Sequence, residues 1–205
     1  MLDQHTVATF KKAFRFNAIQ SLRGIGIECE LPVVTARGEA VSLSLIQELF
    51  IYLGVHGFEL EYDEYSELIV AAKRINTKSA KKFKNHIDTI TTDTAYSTIE
   101  IVVAPHNNLH TIQEQLSELL SILITFFDEK NCLLLGYGIQ PLTAPSRKLL
   151  MPKERYLFFE KLSTNRSIPK SEGADSSFLN LTASNQCHID IDVQEAILAL
   201  SLIHI

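Results

Sequence analysis

The stretch Gly24-Ile25-Gly26-Ile27-Glu28-Cys29-Glu30-Leu31 alternates apolar and acidic side chains, and that period of two constrains the fold more than any other feature of the chain. An extended backbone sends Glu28 and Glu30 to one face and Ile27, Cys29 and Leu31 to the other. Two carboxylates so placed sit roughly 7 Å apart and repel by about 0.5 to 2.5 kcal/mol, depending on the effective dielectric. A fold that holds them side by side therefore calls for a cation. A second run, Cys187-His188-Ile189-Asp190-Ile191-Asp192, repeats the pattern with His188, Asp190 and Asp192 on one side. Imidazole and carboxylate of this kind recur where metals bind.

The chain has 205 residues, of which 46% are hydrophobic, enough to bury the core of one domain covering residues 1–205. Its 24 acidic residues against 19 basic give a net charge of -5, which disfavours a sequence-independent hold on nucleic acid. Cys29, Cys132 and Cys187 are an odd number without CxxC spacing, so neither a disulfide framework nor a zinc knuckle is indicated and a reducing, cytoplasmic setting is expected. The most apolar run, Leu119 to Phe127, is much shorter than the roughly 20 residues of a membrane span. No membrane association is expected. Asp3, His5, Lys11, Lys12 and Arg15 do not match a secretory signal, although their basic amphipathic character leaves organelle import open.

Hydrophobic periodicity predicts a helix over residues 5–22, a strand over 25–34 and a helix from Ser42 to Leu53 whose Leu43, Ile46, Leu49, Phe50 and Leu53 share a face. Strands are predicted at Phe58 to Tyr62, Leu68 to Arg74 and His86 to Thr92, joined by polar turns in the manner of antiparallel hairpins. A turn through Thr94 to Ser97 would let Asp93 and Glu100 face the same way despite their odd separation. From Asn108, the positions Leu109, Ile112, Leu116, Leu119, Leu123 and Phe126 predict a long helix burying one stripe. A strand over Leu133 to Leu142, a short helix over Glu154 to Leu162, a mobile loop over residues 163–177 and a helix from Val193 complete the reading.

Several features carry no chemistry of their own. Gly24 and Gly26 do not complete GxGxxG, and no GxxxxGK[ST] loop is present, so Rossmann or P-loop nucleotide binding is not indicated. Cys29 and Cys187 alternate away from the acidic faces and read as small packing residues rather than nucleophiles. The cluster Lys78, Lys81, Lys82 and Lys84 reads as a solvated turn.

Taken in order, Gly26-Ile27-Glu28-Cys29-Glu30, Thr92-Asp93 with Ile99-Glu100-Ile101, Ala104-Pro105 followed by Leu109-His110, Gly138-Ile139-Gln140-Pro141, Met151-Pro152-Lys153-Glu154-Arg155-Tyr156 and Thr182 to Asp190 resemble glutamate-cysteine ligase of the plant and proteobacterial type. The MPKxRY element after GxQP is the most specific piece. The resemblance implies an α+β fold with a glutamine-synthetase-like, curved antiparallel sheet, helices packed on its outer face and acids on its concave face.

It further implies ATP-dependent joining of the glutamate γ-carboxylate to the cysteine amine through γ-glutamyl phosphate, the first step of glutathione biosynthesis. Glu28, Glu30, Asp93, Glu100 and His188 are implied as ligands of Mg2+, and Glu28, Glu30 and His188 as contacts to ATP phosphates. Arg155 and His188 are implied as catalytic, with Tyr156, Arg155, Lys153 and Gln140 in the substrate pocket. A related ligase using another amine, or a noncatalytic binding fragment of the same fold, stands as the alternative, and self-association is left open. Relative to the family the chain reads as C-terminally truncated, with residues 200–205 a non-native tail, so on its own it is expected to hold half an active site and turn over little.

Overall fold

The structure, a computed structural model, describes residues 8–9, 23–77, 86–164, 176–192, 195, 196 and 198, the side chains at 159, 160, 162–164 and 176 aside. Seven strands, all paired antiparallel, form one sheet: β1 (Ile25–Thr35), β2 (Glu59–Tyr62), β3 (Ile69–Ile75), β4 (Ile87–Thr92), β5 (Thr98–His106), β6 (Cys132–Leu134) and β7 (Asn185–Ile189). They run in the order β2-β3-β4-β5-β1-β6, and β7 also pairs with β1. β1 is thus shared: its first half bonds β7 through Ile25 to Cys29, and its last residues, Val33 to Thr35, bond β6.

Among the described residues three helices accompany the sheet, α1 (Leu43–Val55), α2 (Leu109–Glu129) and α3 (Glu154–Thr164). Ser42 caps α1 by accepting the Leu45 N–H at 3.3 Å, and Asn108 caps α2 by accepting the His110 N–H at 2.9 Å. Gly57 takes a left-handed φ of +86° just beyond α1, the conformation a helix exit favours for glycine.

The alternation of β1 decides where the helices dock. Leu31 and Val33 join Ile90, Ile99, Ile101 and Val103 of the neighbouring strands, and this apolar face receives Ile46, Leu49, Phe50 and Leu53 of α1 and Ile112, Leu119, Leu123 and Phe127 of α2. Each such side chain contributes about 1.5 to 3 kcal/mol through removal from water. The acidic face of β1 is turned away from this core.

Below α2 lies a buried polar network that periodicity does not announce. The Asp88 side chain, 1% exposed, accepts the Asn76 amide at 2.8 and 3.0 Å and the Ala104 N–H at 2.9 Å. Gln115 donates to Asn76 Oδ1 at 2.9 Å, and Arg74 spans Asp88 at 3.7 Å and Glu118 at 2.9 Å.

Some expectations are corrected. The strand foreseen over Leu133 to Leu142 is only β6, because Gly136, Gly138 and Pro141 follow and Gln140 turns inward to bond Ser97. In the stripe of α2, Leu109 is 59% exposed while Gln115 is buried, drawn in by Asn76. The last strand is Asn185–Ile189 rather than 187–192: Asp190 Oδ2 accepts the Gly24 N–H at 2.8 Å, and Asp192 exchanges hydrogen bonds of 2.8 and 3.0 Å with Glu195 in a capping box. Neither aspartate continues the row begun by His188. The loop foreseen over 163–177 overlaps α3, which runs to Thr164, and a 3-10 turn that starts at Ser176; its middle, 165–175, lies outside the described residues. So do most of the predicted helix over 5–22, the basic cluster of Lys78, Lys81, Lys82 and Lys84, and the tail 200–205. Among the described residues, no helix is long and apolar enough to cross a membrane.

Candidate active site

The strand register assembles the site. Glu30 stands opposite Glu100 of β5, and Glu100 opposite Thr91 of β4. Paired residues of an antiparallel ladder share a face, so Glu28, Glu30, Glu100 and Thr91 all point away from α1 and α2. The β4–β5 turn closes with the Asp93 N–H donating to the Thr98 carbonyl at 3.1 Å, which sets Asp93 in line with Thr98 and hence on the face of Glu100. The turn through Thr94 to Ser97 does bring Asp93 and Glu100 to one side.

On the other flank of β1, β7 sets Gln186 opposite Glu28 and His188 opposite Gly26. His188 Nε2 lies 3.2 Å from Glu28 Oε1. Glu30 is held more fully: its Oε2 accepts the Ser184 N–H at 2.7 Å and the Ser184 hydroxyl at 3.2 Å, and its Oε1 accepts the Gln186 amide at 3.3 Å.

Beyond Glu100, the start of α3 and the residue before it supply cations. Lys153 is buried, and its Nζ donates to the Thr92 carbonyl at 2.6 Å and to Thr91 Oγ1 at 3.0 Å. Arg155 donates to Tyr156 Oη at 2.7 Å and lies over the same ring, 4.6 Å from its centroid. Gln140, also buried, donates its amide to the Ser97 carbonyl at 3.0 Å and hydroxyl at 3.2 Å, while its Oε1 has no partner among the described residues. A buried acceptor left open in this way fits a water or a ligand donor.

The electrostatics follow from that crowding. Burial pushes the Glu100 carboxyl up to about 7; the negative charges of Glu28, Asp93 and Glu30 add to the rise, and Lys153 opposes it. Burial also raises Glu30, as does Asp93, while the hydrogen bonds from Ser184 and Gln186 pull it back. Lys153 moves the other way, down to about 8, through burial and the nearby Arg155, against the pull of Glu100, Asp93 and Glu61. The acid face thus carries more negative charge than its own cations offset.

Those carboxylates are hard oxygen donors of the type that Mg2+ accepts, and their unrelieved repulsion fits a divalent cation. Among the described residues, no three His, Cys, Asp or Glu side chains form a ready ligand cluster. The acids instead stand across β1, β5 and the β4–β5 turn.

The family model of glutamate-cysteine ligase family 2 matches residues 24–204. The chain belongs to that family. It is a family of ligase-type enzymes, and the match in this member begins one residue before β1 and takes in every residue named above. No curated protein matches the chain.

Glu28, Glu30, Asp93, Glu100 and His188, all expected at a site, lie on one side of the sheet, with Lys153 bonded beside them at Thr91 and Thr92. Sequence reasoning passed over Ser184 and Gln186. The signal was there, since 184, 186 and 188 share a parity on one extended segment. Thr91, which anchors Lys153, carried no such signal.

Proposed function

We propose that the protein is an ATP-dependent carboxylate-amine ligase that joins the γ-carboxylate of glutamate to the amine of cysteine, the opening step of glutathione synthesis. The observation that carries this reading is the facing pair of Glu30 and Glu100, with the buried Lys153 next to it, inside the stretch matched by the family. On this reading the sheet is glutamine-synthetase-like, and its acid face is the concave one.

The chemistry asks for a polar, charged surface of this kind. A free carboxylate is a poor acyl donor, so the γ-carboxylate first takes the terminal phosphoryl group of ATP and ADP leaves. The cysteine nitrogen then forms the amide bond, inorganic phosphate departs, and the amine proton is lost to solvent or a base. Glu28, Glu30, Asp93 and Glu100 would hold Mg2+, with His188 steadying Glu28; when bound there, magnesium supplies neutralisation of the triphosphate oxygens. Lys153 offers a fixed positive charge at the edge of the acids, and Arg155 a planar fork suited to a carboxylate or phosphate. Tyr156 orients that fork through its hydroxyl and ring. The open Oε1 of Gln140 suits the ammonium group of an amino acid substrate.

The test is ADP formation by the full-length protein with ATP, Mg2+, glutamate and a panel of amines. Release that requires both glutamate and cysteine and stops on chelation supports the proposal. Equal release with another amine moves the assignment to a related ligase. Release indifferent to glutamate overturns it.

A further inference from the structure

The geometry points to Ser184 and Gln186 as positioning residues that dictate how Glu30 meets a divalent cation, closing Oε2 and leaving Oε1 for a single, one-oxygen contact. The inference rests on the reading of the acid face as a cation site and deepens it.

Each carboxylate oxygen accepts about two hydrogen bonds. Glu30 Oε2 already has two, from the Ser184 N–H at 2.7 Å and the Ser184 hydroxyl at 3.2 Å. Oε1 has one, from Gln186 Nε2 at 3.3 Å, and one position remains. The other acids are not so bound. Among the described residues, Glu28 meets His188 at Oε1, Asp93 accepts one long bond of 3.4 Å from the neighbouring Thr94 hydroxyl, and Glu100 accepts no hydrogen bond. Among the described residues, Glu30 is therefore the member of the acid row most firmly oriented before any cation arrives, with three donors on its carboxylate.

The contacts are unlike ordinary sheet pairing. Ser184 directs its amide, its hydroxyl and its carbonyl to Glu30 alone, the carbonyl accepting the Glu30 N–H at 3.0 Å. Just before the start of β7, a backbone amide that a ladder would use has been given to a side chain. Both Ser184 and Gln186 are exposed, so neither fills the core. Their shared business is the carboxylate.

The probe is Mn2+, followed by electron paramagnetic resonance of the free ion, with thermal unfolding of the metal-free protein measured in parallel. The double variant Ser184→Ala/Gln186→Ala is expected to bind Mn2+ about tenfold more weakly, the usual scale for groups that orient a ligand from behind. Its metal-free unfolding should stay a single cooperative transition with a midpoint only slightly below the parent's, because both residues are exposed. Ser184→Thr, which keeps the hydroxyl, should restore parental affinity, and Asn185→Ala, whose side chain points to the opposite face, should leave it unchanged. Parental Mn2+ affinity in the double variant overturns the inference while the acid face stands. A loss shared by Ser184→Thr and Asn185→Ala marks damage to the strand and also overturns it. Absence of Mn2+ binding by the parent overturns the inference together with the reading beneath it.

Discussion

Glu30 of β1 and Glu100 of β5 face one another as direct partners of an antiparallel ladder, two carboxylates brought together by backbone register alone. Directly opposed like charges destabilise a sheet. The protein keeps them and answers the repulsion unevenly: Glu30 is braced by hydrogen bonds from Ser184 and Gln186, whereas Glu100 is left with the opposing charge of Lys153.

That imbalance gives stability a pH dependence. The Glu100 carboxyl rises from 4.5 in the unfolded chain to about 7 in the folded one. Between those values the native state holds the proton and the unfolded state has released it, so stability present below pH 4.5 is lost as the pH climbs through 7. Glu100→Gln should therefore raise the unfolding free energy by about 1 to 2 kcal/mol at alkaline pH, after discount for partial solvent access, and by almost nothing at acid pH. Urea titrations at pH 5 and pH 8.5 check this. A gain of equal size at both values would rule out the proton linkage.

Lys153 holds the Glu100 carboxyl down against its neighbours. Lys153→Met should push that group above its present value of about 7, read from the carboxyl carbon resonance in a pH titration. An unmoved midpoint would show that the ammonium charge is screened from Glu100 despite its place on Thr91 and Thr92.

Asp88 serves the opposite face of the sheet. Asp88→Leu strips acceptors from Asn76 and Ala104 and leaves Arg74 without its buried counter-charge. A loss of about 3 kcal/mol is expected from those orphaned groups, seen as a lower urea midpoint. Because the network lies across the sheet from the acids, Mg2+ affinity of the folded variant should not change.

Gln140 presents a case where two effects nearly cancel. Gln140→Met removes the bond to the Ser97 carbonyl but also removes an acceptor that is buried without a partner. The stability change should stay within about 1.5 kcal/mol. A rise in KM for one amino acid substrate with stability intact would identify the donor that Oε1 receives.

Much of the sheet was legible because a half-buried strand writes its two faces into alternate residues. Val33 and Leu31 against Glu28 and Glu30 fixed β1, and the polar breaks at Asp63 to Ser66 and Thr94 to Ser97 placed the hairpins. Glycine and proline set the limit at β6, where an apolar run longer than the strand misled, since Tyr137, Ile139 and Leu142 stay largely exposed. In α2 the pattern fails where a polar side chain is buried for a partner 39 residues away, as Gln115 is for Asn76. At the site, residue types that can hold a cation stood out, whereas the uncharged donors behind them did not. Ser184 and Gln186 look like any polar strand residue until β7 is laid along β1.

The two-sided character of β1 also restricts how this gene can change length. Loss or gain of a single codon between Ile25 and Leu31 would rotate every later side chain by half a turn, sending Glu30 into the oily layer beneath α1 and α2 and Leu31 out to water. Paired changes of two codons would keep the faces in step. Natural variation in length should therefore gather in the connecting turns and spare this strand.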